Sequence, residues 1–143
     1  MARMVLLDAN MLIGALDGEE GNPANEANRA RFIQLLEDDE VRLAVSPLIT
    51  YEFLRGLKNV SLAEIEAVLN NFQKFDIKEE HARLAAEIFR IAKDQGSAIQ
   101  KKNFDIFHCV CAELHQLEME SQDGDIVKIQ KLIQATKQNA ETH

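Results

Sequence analysis

The chain alternates short apolar runs with longer stretches in which apolar residues recur at helical spacing. The first run, residues 4–7, predicts a strand buried on both faces. Similar runs predict strands at 41–45, 75–77 and 117–121. Helical spacing predicts helices at about 10–16, 23–38, 47–55, 62–72, 78–95 and 103–115, and a last helix from 126 with a frayed tail beyond 136. This alternation predicts one α/β domain over residues 1–143, with a three-layer α/β/α fold, a mostly parallel central sheet and the first strand at its centre.

Two helix starts carry specific capping signals. Ser46 followed by Pro47 places an N-cap before a first-turn proline. Ser61 with Glu64 three residues later has the pattern of a capping box. The helix that begins there carries apolar side chains that either fill the core or form a groove for a partner's helix or a second protomer, namely Leu62, Ile65, Leu69 and Phe72.

Composition narrows the classes of function. The formal net charge of -8 disfavours a protein held to nucleic acid by its overall charge, so basic contacts would be local. No run of about 20 apolar residues is present, so we expect no membrane-spanning segment. The first strand begins too early for a signal peptide. Cys109 and Cys111 lie two apart in a helical pattern, which predicts two buried, unpaired thiols in a reducing, cytoplasmic setting.

Acidic residues follow predicted strands at two places. Asp8 comes directly after the first strand, at the edge where open parallel sheets place their ligands, and Asn10 follows it. Asp123 and Asp125 come after the last strand. Each position also has an ordinary structural interpretation. Asp8 and Asn10 can turn the chain and cap a helix, and the other two acids can form a turn around Gly124.

Two further acids lie in apolar helices. Glu52 stands among apolar residues, so it faces either solvent or a pocket. Asp105 is the acid in the first turn of a helix whose following positions are nearly all apolar or small. It can simply stabilise the positive end of the helix dipole. Acids at four places in such settings, namely Asp8, Glu52, Asp105 and the turn with Asp123 and Asp125, make a shared site a competing hypothesis.

A shared site would require a cation. Carboxylate oxygens are hard ligands suited to Mg²⁺ or Mn²⁺. Without a cation, crowded carboxylates repel one another and take up protons. A bound divalent cation can activate water for attack on a phosphodiester and offset charge in the transition state. Convergence of the four acids would therefore indicate metal-dependent phosphodiester chemistry.

Four stretches, in chain order, resemble the motifs of the PIN-domain ribonucleases. Leu7–Ile13 resembles their opening, LDTNVLI, and Ser46–Gly56 resembles their second motif, S-x-x-T-x-x-E-x-x-x-G. Asn103–Ala112 is similar to the third, an Asp that opens an apolar helix. Ser121–Ile126 is similar to the fourth, T-x-D-x-D-F. Together the four span nearly the whole chain, and the members most similar in size are the VapC-type toxins.

The resemblance implies an endoribonuclease that uses Mg²⁺ or Mn²⁺. It implies that the metal ligands and catalytic residues are Asp8, Glu52, Asp105 and Asp123. Asn10, Ser121 and Asp125 would position water or substrate. It also implies an RNA substrate and a cognate antitoxin, and we expect a homodimer. Among the departures from the family pattern, Ala9 and Ser121 stand where Thr is usual, and Ile126 stands where Phe is usual.

Basic residues beside the acids are candidate phosphate contacts. Arg55 follows Glu52, and Lys101 and Lys102 precede Asp105. Lys101 and Lys102 could equally be ordinary lysines whose ammonium groups are solvated. His108 lies one turn beyond Asp105, and a satisfied core histidine is the favoured interpretation, with a role in the site as the alternative.

Two other functions fit parts of the sequence. Asp8 could be the nucleophile of a haloacid-dehalogenase-like phosphatase, although that chemistry usually has a second Asp where Asn10 stands. A PIN-fold interaction module with a weak or inactive site is the non-enzymatic alternative. Metal-dependent RNA cleavage separates the nuclease from the interaction module, and hydrolysis of a small phosphate ester would favour the phosphatase.

Overall fold

The centre of the fold is a four-stranded, all-parallel sheet. In the computed structural model, which describes residues 2–121 and 123–141, the strands are β1 (Arg3–Leu7), β2 (Val41–Val45), β3 (Gln73–Lys74) and β4 (Glu118–Glu120). Their order across the sheet is β3-β2-β1-β4. β1 pairs in parallel with β2 on one side and β4 on the other. The predicted α/β class, parallel sheet and central first strand are confirmed.

Helices cover the sheet. They are α1 (Ala9–Leu16), α2 (Pro23–Glu37), α3 (Pro47–Arg55), α4 (Leu62–Leu69), α5 (Glu79–Asp94), α6 (Asn103–Leu114) and α7 (Gly124–Glu141), with a short 3-10 helix at Ala98–Lys101. Successive β1 residues Val5, Leu6 and Leu7 are all buried. Because neighbouring strand residues point to opposite faces, both faces of the sheet are covered. One hydrophobic cluster joins β1 and β2 to α1–α4, and a second joins α5–α7.

Both predicted N-cap serines make their bonds, but the reciprocal bond of a capping box, from the Ser61 N–H to the Glu64 carboxylate, is not found among the described residues. Ser46 Oγ accepts a hydrogen bond from the Ile49 N–H at 3.2 Å, and Ser61 Oγ accepts one from Glu64 N–H at 3.3 Å. Both satisfy amide groups that a helix start leaves unpaired. The thiols of Cys109 and Cys111 are buried and free, as predicted. No helix in the part of the chain that the structure describes is long and apolar enough to cross a membrane.

The third strand lies earlier than the sequence pattern predicted. It is Gln73–Lys74, not residues 75–77. The Phe75 N–H still donates to the Val45 carbonyl at 3.0 Å, and pairing with β2 ends there. Beyond it the chain turns to begin α5, where the Lys78 N–H donates to His81 Nδ1 at 2.9 Å. The apolar run at 75–77 thus marks the exit from the sheet.

The last helix is longer than predicted. α7 begins at Gly124, not at 126, because Asp123 Oδ1 accepts the Asp125 N–H at 2.9 Å and caps the first turn. The helix continues through Glu141, past residue 136, where the sequence pattern predicted fraying. Within residues 2–121 and 123–141, no strand follows β4. Gln122, in the predicted turn, lies outside the described residues.

The apolar side chains around α4 fill the core. Ile65, Leu69 and Phe72 are all buried. Leu62 alone of the predicted set is well exposed, at 53%. The suggested docking groove along this helix is therefore wrong, since three of the side chains that would have lined it already pack beneath the helix.

Asp17, directly after α1, is a buried structural acid. Its carboxylate accepts backbone N–H groups from Lys58, Asn59 and Val60 at 2.7, 2.9 and 2.7 Å. Burial acts to raise the pKa of Asp17, but the three amides together hold it below its usual value. These bonds tie the end of α1 to the segment after α3. α1, which follows Asp8, and α3, which carries Glu52, are thereby held together.

Candidate active site

Hydrogen bonds join the ends of β1 and β4. Asp8 follows β1, is 5% exposed, and its N–H donates to the Glu120 carbonyl at 3.1 Å. Ser121 follows β4, and its Oγ donates to Asp8 Oδ2 at 2.8 Å. The same hydroxyl oxygen accepts the Asp123 N–H at 3.1 Å. The two motifs that lie furthest apart in the sequence thus meet at the carboxyl edge of the parallel sheet, where open α/β folds place ligands.

Glu52 reaches the same region from α3 and contacts α6. His108 is completely buried, and its Nε2 is hydrogen-bonded to Glu52 Oε1. Its Nδ1 is buried and has no partner among the described residues. The sequence favoured a core histidine at this position. The ring is fully buried, as that interpretation expects, and it also contacts the candidate ligand Glu52.

Two adjoining cavities contain the four acids. The larger, about 470 Å³, is lined by Asn10, Glu52, Lys101, Lys102, Asn103, Phe104, Asp105 and Asp123. The smaller, about 200 Å³, is lined by Asp8, Asn10, Met11, Asn28 and Asp123. Asn10 and Asp123 line both, so the cavities meet at these residues. Asn28, on α2, is a lining residue that sequence reasoning missed, since no motif includes it.

The pKa of Asp105 reflects the negative charge gathered around the two cavities. Its burial raises its pKa, and the Asp8, Asp123 and Glu52 carboxylates add to the effect, while His108 acts in the opposite direction. The resulting pKa is about 6. Asp105, Asp8 and Asp123 also add to the burial that raises the pKa of Cys109 to about 12. A site of hard oxygen donors with unbalanced negative charge fits a divalent cation.

A second cluster of ligand-type side chains lies elsewhere. His81, Cys111 and His115 have ligand atoms within 4.8 Å of one another, a spacing not found for any three of the four acids as the structure describes them. His81 Nδ1 accepts the Lys78 N–H, so in the neutral ring its other nitrogen carries the proton and has no lone pair to offer. The burial of Cys111 raises its pKa to about 11, so the thiol is also protonated. The four acids, whose donors are carboxylate oxygens, are therefore the better candidate metal centre.

The basic candidates divide into two groups. Lys101 and Lys102 line the larger cavity, and Lys102 Nζ lies 3.7 Å from Asp125 Oδ2. Asp125 also has Lys128 Nζ at 4.0 Å, so its charge is partly balanced by neighbouring lysines. Arg55 lies over the rings of Tyr51 and Phe104 instead of pointing toward an acid. Asp125 thus differs from the other candidate acids, since it lines neither cavity.

Comparison with known proteins decides the family. The model of the PIN domain family matches residues 5–132. The chain belongs to the PIN domain family. PIN domains are generally nucleases that use a divalent metal. No curated protein sequence matches this PIN chain.

A solved structure shares the fold. A chain in the crystal structure of VapBC2 from Rickettsia felis bound to a DNA fragment from their promoter matches with a TM-score of 0.66. The match covers 88% of this PIN chain and 92% of the other, at 14% sequence identity. Identity at that level reflects a common architecture with extensive divergence of side chains.

Proposed function

We propose that this PIN domain is an endoribonuclease that hydrolyses RNA phosphodiesters with Mg²⁺ or Mn²⁺. The observation that carries the proposal is the meeting of acids from four separate chain segments at two adjoining cavities. Burial and then the neighbouring carboxylates raise the pKa of Asp105, so the site carries an electrostatic cost that a cation would offset. Nuclease activity in general follows from the family.

Asp8, Glu52, Asp105 and Asp123 would hold the metal. Their oxygens are the ligand type that Mg²⁺ and Mn²⁺ prefer, and few carboxylates leave coordination positions for water and substrate. The cation would supply Lewis-acid charge for the phosphodiester transition state. Ser121 fixes one oxygen of Asp8, and His108 holds Glu52, so two of the four ligands have a partner that orients them.

The remaining candidates would act on water or substrate. Asn10 is exposed and lines both cavities, so its amide can reach a phosphate or a water beside the acids. Lys101 and Lys102 at the cavity wall, and Arg55 next to it, would contact phosphates. Asp125 would act indirectly, through the Lys102 ammonium. This arrangement supplies local positive charge on a chain whose net charge is -8.

The test is cleavage of defined RNA by the purified protein, with Mg²⁺, Mn²⁺ or excess chelator. We expect cleavage with either cation and none with chelator. Asp8→Asn should abolish cleavage with the fold retained, because an amide is a poorer ligand for a hard cation. Leu62→Ala, which changes an exposed side chain of α4, serves as the matched control. Undiminished cleavage in chelator would contradict a metal mechanism.

We further propose that the protein is the toxin of a VapBC-type pair, with an antitoxin as partner, acting as a homodimer in the cytoplasm. The support is the shared fold with a chain of the VapBC2 structure. Expression of the protein alone should slow growth, and Asp8→Asn should relieve the effect. Equal growth at matched protein levels would remove the toxin role and leave a housekeeping nuclease. Light scattering of the purified protein tests the homodimer.

Of the two alternatives, the interaction module remains the stronger. It predicts binding of a protein partner with no RNA cleavage under any metal. Membership of the PIN family leaves no reason for a haloacid-dehalogenase-like phosphatase, whose second Asp is replaced here by Asn10.

A further inference from the structure

An exposed cluster of Tyr51, Arg55 and Phe104, here called the aromatic rim, borders the larger cavity. Tyr51 is 52% exposed and Phe104 is 37% exposed. Their ring centroids lie 6.1 Å apart with an interplanar angle of 76°. The Arg55 guanidinium carbon lies 5.1 Å from the Tyr51 centroid and 5.9 Å from the Phe104 centroid. The three side chains form one connected surface built from α3 and the start of α6.

The position of the aromatic rim is tied to the candidate ligands. Tyr51 directly precedes Glu52, and Phe104 directly precedes Asp105. Neighbouring residues on a helix point about 100° apart, so the rings stand beside the acids and not between them. Phe104 lines the larger cavity together with both acids. A molecule whose phosphate reached Glu52 and Asp105 would therefore have its adjoining groups next to the two rings.

Burial in the core does not explain these rings. Neither Tyr51 nor Phe104 packs into either hydrophobic cluster of the described residues. Each leaves more than a third of its surface in water, and burying that surface would stabilise a complex. Arg55 adds a positive charge and a flat guanidinium that also stacks on aromatic rings. The combination of exposed ring faces and a cation is suited to a flat ligand that carries negative charge.

We propose that the aromatic rim binds an unpaired nucleobase of the substrate, adjacent to the phosphate held at the acids. This inference rests on the proposed ribonuclease function and specifies its substrate as RNA that is single-stranded at the site. A base locked in a duplex has both faces covered by its neighbours and cannot stack on Tyr51 or Phe104. Every base has a flat face that can stack. The rim therefore selects for a base that is unpaired and does not distinguish one base sequence from another.

The charges around the rim favour a nucleic acid over a protein occupant. Lys101 and Lys102 line the same cavity, and Arg55 lies within the rim. Three cations beside exposed rings match a strand in which each base is followed by a phosphate. An apolar protein segment would bury the rings but would bring no negative charge to these three cations.

A single intrinsic fluorophore makes the proposal testable. Tyr51 is the only tyrosine in the chain, which has no tryptophan, so tyrosine emission reports on the rim alone. The experiment titrates a short single-stranded RNA into the inactive Asp8→Asn protein with Mg²⁺ present. A tyrosine amide in the same RNA solutions corrects for absorption by the bases. We expect saturable quenching by the single strand and much weaker quenching by a duplex of the same sequence.

Substitution then separates stacking from general binding. Phe104→Ala in the same background should weaken binding of the single strand about 5- to 100-fold. Leu62→Ala, at a similarly exposed position, should not change it. In the active protein, Tyr51→Ala should lower kcat/KM for intact RNA. The same change should have little effect on an RNA that lacks the base at the stacking position, found by placing an abasic site at each nucleotide in turn.

The outcomes distinguish this proposal from the ribonuclease proposal. Cleavage by the wild type with unchanged Tyr51 emission and unchanged kcat/KM in Tyr51→Ala would overturn the base-binding rim and leave the nuclease intact. The rim would then be a surface for a protein partner. Quenching without cleavage would overturn the nuclease and leave an RNA-binding rim. The absence of both quenching and cleavage would overturn both proposals.

Discussion

Ser121 Oγ donates a hydrogen bond to Asp8 Oδ2 at 2.8 Å, joining residues 113 positions apart in the chain. This hydrogen bond fixes the orientation of the Asp8 carboxylate beside the two cavities. Ser121→Ala should therefore lower RNA cleavage about 10- to 100-fold at saturating metal, the usual effect of removing a group that orients a ligand. The measurement is kcat/KM with Mn²⁺ varied, together with thermal unfolding to establish that the fold is retained.

Ser121→Thr is the matched control for that prediction. Threonine keeps the hydroxyl, and it is the residue that the fourth PIN motif usually has at this position. We expect Ser121→Thr to keep most of the activity. Equal losses in the alanine and threonine variants would contradict an orienting role for the hydroxyl.

The contact between His108 and Glu52 leads to the second prediction. His108→Ala removes the group that holds Glu52 and should lower activity about 10- to 100-fold per folded molecule. His81 is the matched control because it is also completely buried, but its ring bonds to the Lys78 N–H, away from the acids. Both alanine variants should lose stability, and only His108→Ala should lose activity beyond its unfolded fraction.

The raised pKa of Asp105 gives a stability prediction with a defined pH range. Its pKa is about 6 in the folded protein against an ordinary value of 3.8, so the folded state binds the proton more tightly. Stability should therefore fall as the pH rises from about 4 to 6, and the penalty should persist above that range. Asp105→Asn removes the penalty. Without metal at pH 7, the Tm of the variant should exceed that of the wild type by about 3–5 °C for each kcal/mol of penalty removed. At pH 4 the two Tm values should be close.

Metal should reverse that order. Mn²⁺ should raise the Tm of the wild type at pH 7 because it binds only the folded state, and should have little effect on Asp105→Asn. Its effect on the wild type should weaken below pH 6, where protons compete for the carboxylate. A wild type that is more stable than Asp105→Asn at pH 7 in chelator would contradict the electrostatic account of this site.

The sequence predicted the elements whose signals are local. Strand β2 and helix α3 were predicted to the residue, because Ser46 and Pro47 mark the boundary between them. β3 was misplaced because two residues of pairing at a sheet edge leave no periodic pattern. The side chains along α4 were ambiguous because an apolar stripe does not reveal what covers it, and the structure resolves this by burying Ile65, Leu69 and Phe72.

Residues of the candidate site were predictable where the family motifs contain them. Asn28 lies in no motif and comes to the cavity only because α2 packs on α1. The role of His108 depends on the side chain of Glu52, 56 residues away, and no local pattern reports such a contact. The structural role of Asp17 depends in the same way on distant residues, because the three backbone N–H groups that its carboxylate accepts come from residues 58–60.

Asp17 supplies a prediction that concerns stability alone. Asp17→Ala leaves three amides without their acceptor and should cost on the order of 3 kcal/mol. Because the folded pKa lies below 3.8, the contribution of Asp17 is complete above that pH and is lost as the pH falls through the lowered pKa. Denaturant unfolding at pH 7 and pH 3 measures both effects. The folded fraction should retain full cleavage activity, and a specific loss of activity would place Asp17 in the site.

The proposed nuclease requires that Asp8, Glu52, Asp105 and Asp123 together hold a divalent cation. The most direct measurement is anomalous diffraction from crystals of the wild type grown with Mn²⁺ at pH 7, alongside crystals of Asp8→Asn. We expect one or two anomalous peaks within about 2.5 Å of oxygens from these four residues, and loss or marked weakening of the peaks in the variant. Ordered crystals that show no peak among the acids, or a peak at His81, Cys111 and His115 instead, would contradict it.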